Sequence, residues 1–358
     1  AHPKAVKPRL VLARYYLTRG NPEKASFLVN ELGETQKNNP QVLTLIAMTN
    51  LAQNEYAEAR ATLEKLIALR PNSANAHHML AKAHAGLSDR ERTKTELRKT
   101  IELAPNHLPA RIALTRLLLL ERDKVGVKEQ LKVLKELAPE NSAVLQIEAS
   151  MARLNSNPNE ALRLTEKAFE KSPTNTNMRT LARQKWVMGD SEGAQHIQEA
   201  WVNTHPEDLV ARMALANSYT ASNQIDLAVE QYSIVLDRNG SNQMALNNLA
   251  WLLRDSNPQQ ALEHAKRAIE LNPESVELMD TLAVVLLKNG ETQKAQRTIA
   301  RALVKAPGNL TMRYHSAMID AAVGDKVSAI TTLKSLLKES TKFPEKEEAR
   351  KLLTRLES

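Results

Sequence analysis

Histidine, carboxylate and amide side chains would have to carry any chemistry in this chain, because it contains no cysteine. That removes disulfides, thiolate nucleophiles and Cys-ligated zinc. One histidine cluster stands out, His77, His78 and His84. A spacing of seven places His77 and His84 on one helix face. No carboxylate shares that face in the same stretch, so the pair reads as core histidine rather than as a metal site. No glycine-rich phosphate loop, His-Glu-x-x-His pair or serine nucleophile elbow occurs. The residues point to no catalytic group, no cofactor and no metal. They point to binding instead of turnover.

The charge balance gives binding a first sign. Lys and Arg total 49 against 41 Asp and Glu, a net charge of +8. Such a balance fits an acidic partner or polymer, and equally a soluble protein that is merely basic. No apolar run approaches 18 residues, and the longest, Leu117 to Leu120, reads as a buried helix face. The chain opens Ala1-His-Pro-Lys with no secretory pattern. That start reads as a cut, so targeting information is expected to be missing, and any membrane link would run through a lost N-terminal anchor or a partner.

The elements that must position binding residues follow from a repeat. The stretch Ala261-Leu-Glu-His-Ala-Lys-Arg-Ala-Ile-Glu-Leu-Asn-Pro273 recurs along the chain, its proline marking beats at 71, 105, 139, 173, 206, 273 and 307, with Gly240 filling the gap. Two ladders of small residues run in register with the beat. One is Ala25, Ala59, Thr93, Val127, Ala161, Ala194, Ala228, Ala261, Ala295 and Ala329; the other is Ala13, Ala47, Ala81, Thr115, Ala149, Ala182, Ala216, Ala250, Ala283 and Ala317. A fixed period of 33 or 34 residues is the signature of a solenoid. Composition agrees: Gly is rare, aromatics are 3%, and good helix formers dominate.

Each period holds two amphipathic helices. In the ninth, Val276, Met279, Leu282, Ala283 and Leu286 mark the first, which stops at Lys288-Asn-Gly290. Gly20, Gly189, Gly290 and Gly324 share this turn, and Asn21, Asp89, Asp123, Asn157, Asp190, Asn257 and Asp325 follow it as N-caps. Pro22, Pro158 and Pro258 then occupy the first helical turn. The small ladders let two backbones approach while larger neighbours interdigitate. Thr93, Val127 and Gly240 depart from the pattern and predict looser packing in their units.

On these residues the chain resembles the tetratricopeptide (TPR) repeat: paired helices, a 34-residue period, small residues at close crossings and a terminal proline. The resemblance implies an all-α fold, an α-α superhelix or right-handed solenoid, behaving as one quasi-one-dimensional body. Ten repeats are expected over 1–343, starting near 6, 40, 74, 108, 142, 175, 209, 243, 276 and 310. Residues 344–358 then form a C-terminal capping helix, with Ala349, Leu352, Leu353 and Leu356 as its apolar stripe. That end reads as native, and more repeats are expected before Ala1.

In the TPR resemblance the first helices line a concave groove, and spacing from the alanine ladder selects its lining. A basic half holds Lys7, Arg14, His78, Lys82, Arg116, Arg153, Arg179 and Arg183, joined by Trp186. A polar half holds Asn217, Asn247, Asn248, Trp251, Arg254, Glu277, Asp280, Tyr314 and His315. The bases read either as a track for an anionic polymer or as solvated helix faces. Asn217 and Asn248 match the asparagines with which peptide-binding TPR proteins hold a peptide backbone, since an amide donates and accepts at once. The matching chaperone-tail positions carry Met213, Glu277 and Thr281, which argues against a free-carboxylate clamp. Trp186 and Trp251 either stack on a ligand or cover the neighbouring unit. Trp201, on a second helix, reads as a packing substitution.

The phrases Asn247-Asn-Leu-Ala-Trp-Leu-Leu253, Met279-Asp-Thr-Leu-Ala283 and Tyr314-His-Ser-Ala317, with the Phe343-Pro344 cap, are similar to TPR lipoproteins of the PEP-CTERM/exosortase system. That similarity implies a non-enzymatic bacterial envelope scaffold, periplasmic or outer-membrane. It would organise exopolysaccharide export or surface-protein sorting, with anionic polysaccharide as a further expected ligand of the basic groove. Two alternatives stay open: a cytoplasmic adaptor or co-chaperone holding extended peptides, and an RNA binder. The scarcity of groove aromatics weighs against RNA.

Overall fold

The computed structural model describes residues 6–339 and 343–358, apart from the side chain of Glu34. It holds 22 helices and no strand among those residues. In chain order they are α1 (Val6–Thr18) and α2 (Pro22–Asn30), the short α3 (Glu34–Lys37), α4 (Pro40–Ala52) and α5 (Tyr56–Leu69), α6 (Ala74–Gly86) and α7 (Arg90–Leu103), α8 (Leu108–Leu120) and α9 (Lys124–Leu137), α10 (Ser142–Leu154) and α11 (Pro158–Lys171). Then follow α12 (Asn175–Val187) and α13 (Ser191–Thr204), α14 (Leu209–Ala221) and α15 (Ile225–Arg238), α16 (Gln243–Leu253) and α17 (Pro258–Leu271), α18 (Val276–Lys288) and α19 (Thr292–Lys305), α20 (Leu310–Val323) and α21 (Lys326–Glu339), and α22 (Lys346–Glu357). The pattern of helix pairs is the all-α solenoid class that the repeat predicts. Where the sequence suggested a single body, the structure divides into two compact units, residues 1–177 and 178–358, with the boundary inside α12. The helix α3 lies outside the two-helix pattern.

The ladders explain the pairing. Every residue of both ladders is at most 4% exposed, including Thr93 and Val127, so these departures fill their crossings as fully as alanine does. The threonines manage this by returning their hydroxyls to their own helix: Thr93 Oγ1 donates to the Asp89 carbonyl at 2.7 Å and Thr115 Oγ1 to the Arg111 carbonyl at 2.6 Å. The run Leu117 to Leu120 corrects its expectation in part, because Leu120 is 71% exposed while Leu118 is buried.

Between paired helices the chain must reverse within a few residues, and a left-handed residue does it. Gly20, Gly189, Gly290 and Gly324 take positive φ, as their type predicts, and Asn54, Ser88, Arg122, Ser156 and Asn223 take it without glycine's freedom. The next residue's N–H then closes the motif, as from Asp89 to the His84 carbonyl at 2.9 Å. All seven predicted N-caps accept a backbone N–H within the first turn. The turn after α16 is built differently: it has no left-handed residue, and α16 is 11 residues long against 13 in α14 and α18.

A second repeating device is polar. His77, Arg111 and Arg212 occupy one position in their first helices, and each reaches back to the preceding proline carbonyl and across to the second helix. His77 meets Pro71 O at 3.0 Å and Glu96 at 2.6 Å. Arg111 donates to Pro105 O at 2.7 Å and Gln130 at 2.7 Å, and Arg212 to Pro206 O at 3.5 Å and Gln231 at 2.6 Å. Leu145, Met178, Leu246 and Met279 take the same position in other repeats and are buried without polar contacts. At the C-terminal end, Ala349 and Leu352 of α22 are buried against Ala317 and Leu333 of the last pair.

Candidate functional site

In unit 1 the first-helix bases Lys82, Arg116 and Arg153 are exposed, on α6, α8 and α10. Lys82 and Arg116 make no ion pair among the described residues; Arg153 donates to Ser150 Oγ at 2.8 Å. His78 does not line this face as expected. It is 8% exposed and its ring meets that of His107 edge-on, 4.7 Å between centroids. Burial, then Lys82 and His107, lowers its pKa to about 4. His77 and His84 are core histidines, as their spacing suggested, although a carboxylate, Glu96, does reach His77 from α7. Among the described residues no three His, Asp or Glu could hold a metal, and no helix is long and apolar enough to cross a membrane.

In unit 2, α12 presents Arg179 and Arg183 exposed and without an ion pair among the described residues, with Trp186 half-buried beside them. The next helices carry the densest polar arrangement. Tyr232 of α15 is 1% exposed, and its hydroxyl reaches the asparagines of α14 and α16. There it donates to Asn217 Oδ1 at 2.5 Å and accepts from Asn248 Nδ2 at 2.9 Å, while that same nitrogen lies 3.5 Å from Asn217 Oδ1. Burial pushes the Tyr232 phenol above its usual range, so it stays a neutral donor. The consequence is orientational. The Asn217 amide N–H groups and Asn248 Oδ1 are left pointing away from the hydroxyl, a donor and an acceptor supplied by adjacent repeats. Asn247, half-buried beside them, has no hydrogen-bond partner among the described residues.

Sequence reasoning found both asparagines and missed the tyrosine. Its signal was a Tyr where Leu63, Leu97 and Leu333 stand in other second helices. Thr165 and Gln198 stand buried at the same position in two other repeats, and a buried polar group there needs a partner, which for Tyr232 is the asparagine pair above it.

One repeat further, the shortened α16 lets Arg254 fold back over its own helix. Its guanidinium lies 4.0 Å from the Trp251 ring centroid and donates to the Trp251 carbonyl. Asp255 holds it at 3.4 Å and also pairs with Lys288 at 2.6 Å. Asp280 does not face solvent as an open ligand; it pairs with the buried His315 at 2.8 Å, and that ring lies 5.7 Å from both Trp251 and Tyr314. Tyr314 is half-buried and packs into the cluster with α22. Trp251, Arg254, Asp280, Tyr314 and His315 therefore form one chain of side-chain contacts across α16, α18 and α20, with tilted rings. Glu277 remains exposed. Trp201 is buried, stacked on His205 at 3.9 Å and bonded to Asp208, as a packing residue.

Comparison with known proteins places this arrangement. Models described as tetratricopeptide repeat match residues 252–318, 213–276 and 41–73. The BBSome complex member BBS4 of Bos taurus is 26% identical over 193 residues, 53% of this chain; the match spans 37% of that protein. A tetratricopeptide repeat protein from Parabacteroides merdae superimposes with a TM-score of 0.54 at 17% identity, covering 60% of this chain and 86% of that one. A chain of the APC/C hetero-tetramer Cut9–Hcn1 does so at 0.53 and 16%, covering 96% and 68%. At these identities the structural likeness is one of fold. Helix pairs in a 34-residue register, small residues at every crossing and family matches in both units make this chain a tetratricopeptide repeat protein.

Proposed function

We propose that unit 2 holds an extended segment of a partner protein, its main chain laid across α14 and α16. Tetratricopeptide repeats are protein-interaction modules and, as a class, non-catalytic scaffolds, and this chain is built of them. The observation that carries the finer reading is the Tyr232 hydroxyl fixing Asn217 and Asn248. An extended backbone offers alternating N–H and C=O groups, and the free amide N–H of Asn217 and Oδ1 of Asn248 match one of each. Preorganised side chains cost less entropy on binding. The bovine relative's place in a multi-protein complex supports a scaffold role. The test is selection from a displayed library of unstructured peptides, followed by titration of Asn217→Ala/Asn248→Ala. Both residues lie on the surface side of the hydroxyl, so the variant stays folded, and about a tenfold loss of affinity is expected. Undiminished binding would overturn the reading.

A second reading concerns unit 1. Exposed Lys82, Arg116 and Arg153 favour an anionic polymer along α6, α8 and α10, in the setting of a bacterial envelope scaffold for exopolysaccharide export or surface-protein sorting. Salt-sensitive binding of an acidic polysaccharide, absent for a neutral one and lost on reversal of the three charges, is the expected result. Fractionation of cells carrying the native gene tests the envelope location; recovery in the cytosol would sink it.

A further inference from the structure

The exposed side chains on the first helices of unit 2 change character in order. The helix α12 offers Arg179 and Arg183, free of ion pairs among the described residues; α14 and α16 offer Val210 and Met244, 57% and 64% exposed; α18 offers Glu277. Val210, Met244 and Glu277 stand at one position of successive repeats and so form a line across three helices, while Arg179 and Arg183 lie three and seven residues past that position on the helix before them. Other charged side chains nearby are already engaged: Arg254 and Lys288 with Asp255, and Asp280 with His315. The open charges are thus positive at one end and negative at the other, with an apolar step between them.

From this layout, and resting on the peptide reading above, we infer that the occupant is a segment of divided charge. Its acidic end lies over Arg179 and Arg183, its apolar middle on Val210 and Met244, and its basic end over Glu277. Three helix-to-helix steps of about 9 Å separate the two charged ends, which an extended chain spans with roughly eight residues. Like charges at either end would be repelled, so the layout selects for charge order as well as composition.

The test uses the full chain and two labelled peptides of about twelve residues with identical composition. One carries an acidic block, an apolar centre and a basic block; in the other the same acids and bases alternate. The block peptide should bind about fivefold more tightly at moderate salt, an exposed-pair effect at each end. Glu277→Lys should erase that preference, and so should Arg179→Glu/Arg183→Glu; all three positions are exposed, and thermal melts confirm that the variants fold. Equal affinity for the two peptides, or a preference that survives Glu277→Lys, overturns the charge order while leaving the asparagine grip standing. Failure of both peptides to bind, at concentrations where library peptides do, overturns the charge order too. If no peptide of any kind binds, the underlying reading fails with it.

Discussion

Replacing Tyr232 by Phe isolates one oxygen atom. The ring keeps its place in the core, so no cavity opens, and the variant loses the hydroxyl's hydrogen bonds, at 2.5 Å to Asn217 and 2.9 Å from Asn248, together with its contact to the Thr220 hydroxyl. Each bond is worth about 0.5–1.5 kcal/mol net. Asn217 is exposed and Asn248 half-buried, so water takes over both amides and the low end applies. A total near 1 kcal/mol follows, a drop of about 2–4 °C in Tm for a unit of this size. Binding should suffer more than stability. Two amide side chains regain rotamer freedom that a peptide must then suppress, about 0.5–1.5 kcal/mol for each, so affinity falls roughly tenfold. Alkaline pH supplies an independent check. Because burial raises the folded phenol's pKa, its contribution to stability is present below the ordinary value near 10 and lost as pH rises through the folded value. Wild type should melt earlier above about pH 10, and Tyr232→Phe should lack that part of the decline. Scanning fluorimetry and peptide anisotropy measure both effects. If Tyr232→Phe melts lower yet binds the selected peptide as tightly as wild type, the hydroxyl is a core feature only, and the argument for a preorganised grip fails.

Other positions test the repeat physics. Arg122 sits at φ 59° in a turn where Gly290 takes 77°, so Arg122→Gly should raise the unfolding free energy by about 0.5 kcal/mol, seen as a higher denaturation midpoint, relief of left-handed strain outweighing added chain entropy. His78 is buried with its pKa lowered to about 4, so its contribution is present above the ordinary value near 6.5 and lost as pH falls through 4. His78→Ile, matching Ile112 in the next repeat, should flatten the acid limb of unit 1's stability curve, which an unchanged limb would refute. For the polar strut, Arg212→Met should be nearly neutral, since Met178 and Met279 fill the same position. Gln231→Leu should cost about 2 kcal/mol, because it takes a partner from a guanidinium that stays buried. Urea melts of the pair decide that asymmetry.

Most of the fold was legible because a repeat states its rules many times. The ladders located every close crossing and the capping residues located the helix starts, since both are local demands of backbone geometry. Non-glycine left-handed residues such as Arg122 were not legible: the turn's conformation is imposed by the helices it joins, and the residue tolerates it. The site was half legible. Spacing identified Asn217, Asn248, Trp251 and Arg254 as sharing a face. It could not show that Asp280 is spent on His315, or that His78 is buried against His107 while Lys82 is exposed, because those outcomes depend on which neighbours reach across from other helices. The division into two units also escaped the period, which continues unbroken through α12.

A solenoid makes each position its own control, and departures from the common residue acquire meaning by comparison within one chain. The Tyr232–Asn248 pair occupies the place of Leu63 and Met79, which pack together in an apolar cluster at 0% and 6% exposure. Were the polar pair there for stability, the double variant Tyr232→Leu/Asn248→Met would weaken unit 2. Replacing both partners of a hydrogen bond by apolar groups of fitting shape is neutral or stabilising, however, and here it also buries more apolar surface. The double variant should therefore gain about 1 kcal/mol of stability and melt higher, while losing the selected peptide. Asn217, being exposed, simply returns to water. A stabilised, non-binding protein would mean that these two residues are kept at a cost to the fold, which is the mark of a working site. A destabilised one would mean that the polar pair belongs to the core, and the search for the peptide site would move to Trp251 and Arg254.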